Sequence, residues 1–300
     1  GLLAFASLIW GTAFVAQALG MDYLGPCTFN AARSFLDSAA VLLVVFVRDG
    51  LRQEKGLLWS WKNPDLLKGG ALCGVFLAAA SMLQQAGLQY IGTGKAGFMT
   101  SLYIVIVPVL GVFFGRRGGV QLWAAVGLAL FGVYFLSVKA GTSLGGIGLG
   151  ECLVLLSAAF FSIHILIIDR FSPRVDCVKL SCLQFFVAGI ISSVAAAALE
   201  GDSFSFKALA DSMGPLLYTG IMSSGVAYTL QIVGQKGLEP TAASLLMSLE
   251  SVFAAVSGWL ILSQPMSGRE IFGSALVFCG VVLAQLPGRK DREGAGESGA

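Results

Sequence analysis

The chain has 300 residues, of which 56% are hydrophobic and only 12% charged, with a formal net charge of +2 and a mean hydropathy of +0.82. Soluble globular domains carry roughly 25% charged residues, so a soluble fold of this length lacks the polar surface that covering its core requires. The small net charge also excludes the concentrated basic face of a nucleic-acid-binding protein, and the expected surroundings are a lipid bilayer.

A helix crosses roughly 30 Å of hydrocarbon with about 20 mostly apolar residues. In chain order, segments of that kind lie near 1–20, 27–47, 68–89, 95–115, 120–138, 148–168, 178–199, 213–236, 241–262 and 268–287. No signal peptide is read before the first span, and without an initiator Met the chain is expected to lack its first residues. The longest connection, about 48–67, carries Arg48, Arg52, Lys55 and Lys62 and is expected to hold a short interfacial helix around Leu57, Trp59 and Trp61. Pro108 falls inside the fourth span and is expected to kink it. The polar, Gly-rich stretch 288–300 reads as a disordered cytoplasmic tail.

Basic loop residues favour the cytoplasm. A cytoplasmic N-terminus puts most of them on that side and only Lys95, Lys139, Lys207 and Arg269 outside, with Arg33 left in the membrane. The even number of spans then returns the C-terminus to the cytoplasm, as in a multi-pass plasma-membrane protein.

The chain repeats itself. Sliding residues 96–116 onto 243–264 by 147 matches Ala96 with Ala243, Ser101 with Ser248, Leu102 with Leu249, Val105 with Val252 and Gly111 with Gly258. The same shift pairs Gly87 with Gly234, while Gly132 meets Gly280 at 148 and Ser7 meets Ser157 at 150. Five spans per half is an odd number, so the second half enters the membrane upside down. The expected fold is an all-α integral membrane protein with ten transmembrane helices as two inverted five-helix repeats, over 1–140 and 147–287. Inverted repeats recur in secondary transporters, with the solute held between them near the midplane.

Several stretches carry a family resemblance: Trp10-Gly11, Arg33 within FNAARSFL, KAGFMTSLYIVIVP at 95–108, the GRR turn at 115–117, and residues 243–283. Together they resemble the EamA-type members of the drug/metabolite transporter superfamily, over essentially the whole chain. The resemblance implies export of metabolites, amino acids or drugs. Two departures stand out. The family often has Pro after the central Glu, where this chain has Ser251, and often has Glu in the following turn, where Arg116 and Gln264 stand. Both argue against a mechanism that depends on a helix break at 251 or on a turn acid.

Ionisable side chains at mid-membrane cost at least about 2.5–3.5 kcal/mol on insertion scales and are the first candidates for function. Glu250, halfway along its span, reads either as a proton-coupling or solute-binding carboxylate or as a protonated Glu bonded to a neighbouring helix. Arg33 and Asp37 are four apart, share a face and can pair, as a structural pair or as a gate. Gln184 holds the position equivalent to Arg33, at an offset of 151, so the site is not expected to be symmetric. His164, the only histidine, reads as an interhelical hydrogen-bonding group or a proton relay.

Trp10, Gln84, Gln85, Tyr103, Tyr228 and Gln231 are candidates to line a cavity, and Tyr103 is equivalent to Glu250 at the 147 offset. The expected solute-binding residues are Trp10, Gln85, Tyr103, Tyr228, Gln231 and Glu250, with Glu250, Arg33, Asp37 and His164 as coupling or gating groups. The six cysteines form no CxxC pair and read as small apolar residues. No metal or cofactor is expected. Gly70 and Gly74 permit close helix contact, more readily inside the bundle than at a dimer seam.

The resulting expectation is a secondary, non-enzymatic transporter working by alternating access, with or without proton coupling, as a monomer or homodimer. The rival readings are a membrane-embedded enzyme on a lipid-soluble substrate and a non-transporting scaffold. Against the enzyme stand the absence of HExxH and GxSxG, and a GTGK at 92–95 without the spacing of a phosphate loop.

Overall fold

Lipid offers no partner for backbone N–H and C=O groups, so each apolar run must satisfy them internally as helix. The computed structural model describes residues 1–51, 59–113, 119–137, 148–201, 205–264 and 267–285, and these form helices and turns. The first three passes are α1 (Leu2–Gly20), α2 (Pro26–Leu51) and α3 (Pro64–Leu88). The fourth is split into α4 (Thr93–Thr100) and α5 (Tyr103–Phe113). Then come α6 (Val120–Ser137), α7 (Leu149–Phe171) and α8 (Cys177–Leu199).

After the short α9 (Phe206–Asp211), the eighth pass runs through α10 (Met213–Leu217), a π-helical stretch (Tyr218–Tyr228) and α11 (Thr229–Gln235). The ninth is split into α12 (Pro240–Met247) and α13 (Leu249–Leu262), and α14 (Gly268–Gln285) is the last. Eight of these passes are long and apolar enough to cross a membrane, and α6 and α14 contain the shorter apolar segments Trp123–Gly132 and Ile271–Gly280. The connection after α2 forms a 3-10 turn at Trp59–Lys62, whose Trp61 packs on the core. Leu57, Arg52, Lys55, the GRR turn and the 288–300 tail lie outside the described residues.

Helix starts follow local chemistry. Proline stands at the first position of α3 and α12, where its missing N–H costs nothing. Asn63 caps α3 by accepting from the Asp65 N–H at 2.9 Å, and Asp176 caps α8 by accepting from Val178 and Lys179.

Packing shows the inversion. α1 lies on α13, and its counterpart α7 lies on α4 and α5. α3 packs on α7 and α8, and the eighth pass makes the matching contacts with α1 and α2. α2 pairs with α8, and α6 with α14. The direction of the crossing is decisive: α4 contacts α13 and α12 contacts α5, so the first half of one split pass meets the second half of the other. The two passes therefore run antiparallel, as an upside-down second half demands.

Both splits fall at equivalent places. The Ile104 N–H donates to the Ser101 carbonyl at 2.9 Å, and the Ser251 N–H to the Ser248 carbonyl at 3.0 Å. These three-residue turns replace one α-helical turn in each pass. The Ser101 hydroxyl, which donates to Gly97, also lies 3.4 Å from the Ser248 carbonyl. Two sequence expectations change here. The ninth pass is interrupted without proline, at Ser248, because the Ser251 hydroxyl and N–H both turn back onto the Ser248 carbonyl. The fourth is interrupted at Ser101–Leu102, with Pro108 inside the continuing helix α5.

Small residues set the helix spacing. A Cβ on Gly11 would lie 2.8 Å from the Ala254 nitrogen and the Glu250 carbonyl oxygen, so α1 touches the backbone of α13. Gly70 and Gly74 let α3 close onto the Leu183 and Val187 side chains and the Gln184 carbonyl of α8, which places that glycine pair inside the bundle. Large apolar side chains such as Leu43, Val194 and Leu260 face outward at 64–67% exposure, a surface that only lipid or a partner tolerates.

Charges gather where α2 and α8 end. At one end Arg48 pairs with Asp49 and Asp176 at 2.7 Å, and Lys179 pairs with Asp49 at 2.7 Å. At the other, Glu200 accepts from the Cys27 and Thr28 N–H groups at the start of α2; a separate pair, Lys95 with Glu151, joins α4 to α7.

Gly11→Ala is expected to wedge α1 off α13 and lower stability by about 1–3 kcal/mol; an unchanged melting temperature in detergent would contradict that contact. Burial acts to raise the Asp176 pKa, but hydrogen bonds from Arg48, Lys179 and Val178 outweigh it and hold the carboxyl below its ordinary value. A depressed carboxylate pKa stabilises the fold above the unfolded value and loses that contribution as pH falls through the folded one. Thermal melts should therefore decline towards acid in the wild type, and Asp176→Asn should flatten part of that decline.

Candidate functional site

Where the two split passes cross, the interior opens into a cavity of about 520 Å³, counting the part that opens to solvent. Its walls come from both halves. α1 supplies Trp10, Phe14 and Gln17, α2 supplies Arg33, α3 supplies Gln84, and the fourth pass supplies Thr100 and Tyr103. The second half supplies Phe161, His164 and Ile165 from α7, Ser223, Tyr228 and Gln231 from the eighth pass, and Met247 and Glu250 from the ninth.

The repeat explains this lining. At the 147 offset Gln84 is equivalent to Gln231, Thr100 to Met247 and Tyr103 to Glu250, and at 150 Phe14 is equivalent to His164. Both members of each pair face the cavity. The 147 offset thus marks Gln84, rather than the expected Gln85, as the partner of Gln231 in the cavity wall.

Two buried ionisable groups face the space. Glu250 is 6% exposed and sits in the first turn of α13, where the helix dipole favours a carboxylate. The interruption at Ser248 is what gives a residue near the middle of the span Ala242–Leu262 a helix N-terminus. The Tyr103 hydroxyl neighbours this carboxylate but completes no regular hydrogen bond. Arg33, 5% exposed, donates its Nε to Asn30 at 2.9 Å, and Asn30 is anchored to Ser192 at 2.7 Å. The other guanidinium N–H groups make no described hydrogen bond. The site thus presents a guanidinium and a carboxyl group in one largely apolar space.

An aromatic cluster fixes the wall. The Trp10 indole donates to the Ser223 carbonyl at 2.9 Å, inside the π-helical stretch. Tyr228 meets Trp10 edge-on at 4.9 Å, Phe185 at 5.5 Å and His164 at 6.1 Å. His164 Nε2 lies 3.0 Å from Gln184 Oε1, while its Nδ1 has no partner. Gln84 donates to Thr100 at 3.0 Å. No cluster of three metal-ligating side chains occurs among the described residues.

Of the residues expected at the site, Trp10, Arg33, Tyr103, His164, Tyr228, Gln231 and Glu250 come together around the cavity. Gln85 and Asp37 do not line it. Gln85 is turned away, donating to the Gln17 carbonyl at 3.1 Å. The expected Arg33–Asp37 ion pair does not form: Arg33 reaches back to Asn30, and both Asp37 oxygens are without hydrogen-bond partners. Phe14, Gln17, Thr100, Phe161 and Ser223 were not singled out by the sequence.

The comparisons with known proteins agree with this architecture. The sequence profile of the EamA-like transporter family matches residues 1–138 and again 148–286. An uncharacterized transporter from Archaeoglobus fulgidus is 27% identical over 95% of this chain and 84% of its own length. A chloroplastic WAT1-related protein of Arabidopsis thaliana is 27% identical over 94% of this chain and 68% of its own. The threonine/homoserine exporter RhtA of Salmonella typhimurium is 26% identical over 68% of each chain. A solved crystal structure shares the fold with a TM-score of 0.68 at 18% identity, over 95% of this chain and 98% of that one.

Gln85→Ala should cost about 1–2 kcal/mol of stability, by removing the donor to a buried carbonyl, and leave solute flux per folded molecule intact. Gln84→Ala and Gln231→Ala should instead lower flux, and proteoliposome assays of the three variants separate the two effects.

Proposed function

The chain belongs to the EamA-like transporter family, and from that premise we propose that it is a secondary transporter exporting small metabolites, amino acids or drugs by alternating access. The observation that carries this reading is the midplane cavity at the crossing of two interrupted, antiparallel passes, where Arg33 and Glu250 lie buried without pairing to each other. Such a space suits a small amphiphilic solute. Arg33 offers donors to an anionic group and Glu250 accepts from a cationic one, while Trp10, Phe14, Phe161 and Tyr228 cover an apolar part. The name of RhtA supports amino acids as the first class to try.

Rocking of the halves, over residues 1–140 and 147–287, would expose the cavity alternately to each side. The charges that join α2 to α8 are suited to act as closures at the two ends. In this reading the protein is a plasma-membrane monomer or homodimer with both termini cytoplasmic, and no cofactor takes part. The proton is the coupling ion, with Glu250 and Asp37 as the unpaired carboxyl groups within the spans.

Reconstituted protein should exchange labelled threonine or a related amino acid across the vesicle membrane. Glu250→Gln, which keeps the shape and removes the charge, should lower that exchange by roughly tenfold or more, the worth of a charge-assisted hydrogen bond. Unchanged exchange in that variant would remove Glu250 from the solute site. Absence of flux across amino acids, nucleosides and cationic drugs would defeat the transport reading for these solutes.

A further inference from the structure

Asp37 stands one turn beyond Arg33 on α2 and outside the cavity lining. It is 0% exposed, neither carboxyl oxygen has a hydrogen-bond partner, and none of the described ion pairs includes it. It packs against the π-helical stretch, where a Cβ on Gly220 would lie 3.4 Å from its Oδ1 and Ser224 stands alongside. The charged and titratable groups facing it are Arg33 on its own helix and Tyr228 on the π-helical stretch. From α8 the Cys182 thiol reaches the neighbouring residue, donating to the Ser38 carbonyl at 3.5 Å.

A carboxylate buried with only the Ser224 hydroxyl alongside and no complete hydrogen bond is costly and calls for a positive partner. Two are at hand: a proton from water and the Arg33 guanidinium. Arg33 is held by Asn30 on one side and faces the cavity on the other. It cannot serve Asp37 and an anionic solute group at once.

We propose that Asp37 is a proton-binding site separate from the solute cavity, and that Arg33 is shared between Asp37 and an anionic group, such as a carboxylate, on the solute. With a proton on Asp37, Arg33 stays on Asn30 and holds the solute anion. When the proton leaves to water, the carboxylate draws in Arg33 across the favourable i, i+4 spacing, and the solute loses its counter-ion. Only the Asp37 O–H bond forms or breaks. Proton and solute therefore favour each other's binding, and linkage makes that effect reciprocal. The inference rests on the reading of the cavity as the solute site.

The test uses the full chain in detergent with L-phenylalanine and phenethylamine, which lacks the carboxylate but keeps its ammonium group through the neutral range, as probes. Phenylalanine affinity should fall as pH rises, by up to about tenfold per pH unit for one linked proton, and phenethylamine binding should lack this slope. Asp37→Asn should bind phenylalanine independently of pH, whereas Gln85→Ala, outside the cavity lining, should keep the slope. In ligand-free protein, infrared titration should show a protonated-carboxyl band that Asp37→Asn removes, Glu250→Gln retains, and Arg33→Gln moves to a different midpoint. A wild-type pH slope in Asp37→Asn, or an infrared titration unchanged by it, overturns the proposal. If phenylalanine binds at no pH, the cavity reading fails for that solute, and the infrared titration still decides whether Asp37 is the proton site.

Discussion

The fourth and ninth passes cross where each is interrupted, with the Ser101 hydroxyl 3.4 Å from the carbonyl of its equivalent, Ser248. In hydrocarbon a broken helix is tolerable only where protein or a cavity satisfies the freed backbone groups. The crossing meets that condition from several directions. Ser251 turns back onto the Ser248 carbonyl, and Ser7 of α1 reaches the Leu246 and Met247 carbonyls at the end of α12. Ser257 of α13 donates to the Gly11 carbonyl of α1 at 3.2 Å. Short hydroxyl side chains therefore hold together a crossing that straight helices would fill with apolar side chains.

The polar interior follows from that crossing. Because α13 begins at Leu249, Glu250 receives the favourable end of a helix dipole in the middle of the membrane. Tyr103 stands in the equivalent place in the first half, and so the two halves present a carboxyl and a phenol to each other. Divergence elsewhere is of the same kind. Arg33 has Gln184 as its counterpart and Phe14 has His164, and the latter half has joined its two substitutes in a hydrogen bond. An approximately symmetric scaffold thus carries a chemically asymmetric cavity.

The charges that join α2 to α8 stand in contrast to those at the centre. Arg48, Asp49, Asp176 and Lys179 satisfy one another, and Glu200 caps a helix start. Arg33, Asp37 and Glu250 are buried as deeply without such closure. Paired charges hold helix ends in place, while unpaired ones at the midplane retain the capacity to bind something else.

Much of the fold is legible in the sequence, because each span must be a continuous apolar run and an odd number of spans forces the second half to invert. The near-constant offset between Ala96 and Ala243, or Ser101 and Ser248, also identifies the two passes that meet at the centre. What the sequence does not decide is which way a polar side chain turns. Gln84 and Gln85 are adjacent and chemically identical, yet one faces the cavity and the other binds the Gln17 carbonyl. Arg33 and Asp37 have ideal spacing for a pair, yet Asn30, held by Ser192 of α8, takes the Arg33 Nε. The break at Ser248 needs no proline because serine hydroxyls on two helices satisfy its carbonyls. Helix periodicity and burial are properties of one segment, whereas hydrogen-bond partners belong to neighbouring helices, and only tertiary packing decides among them.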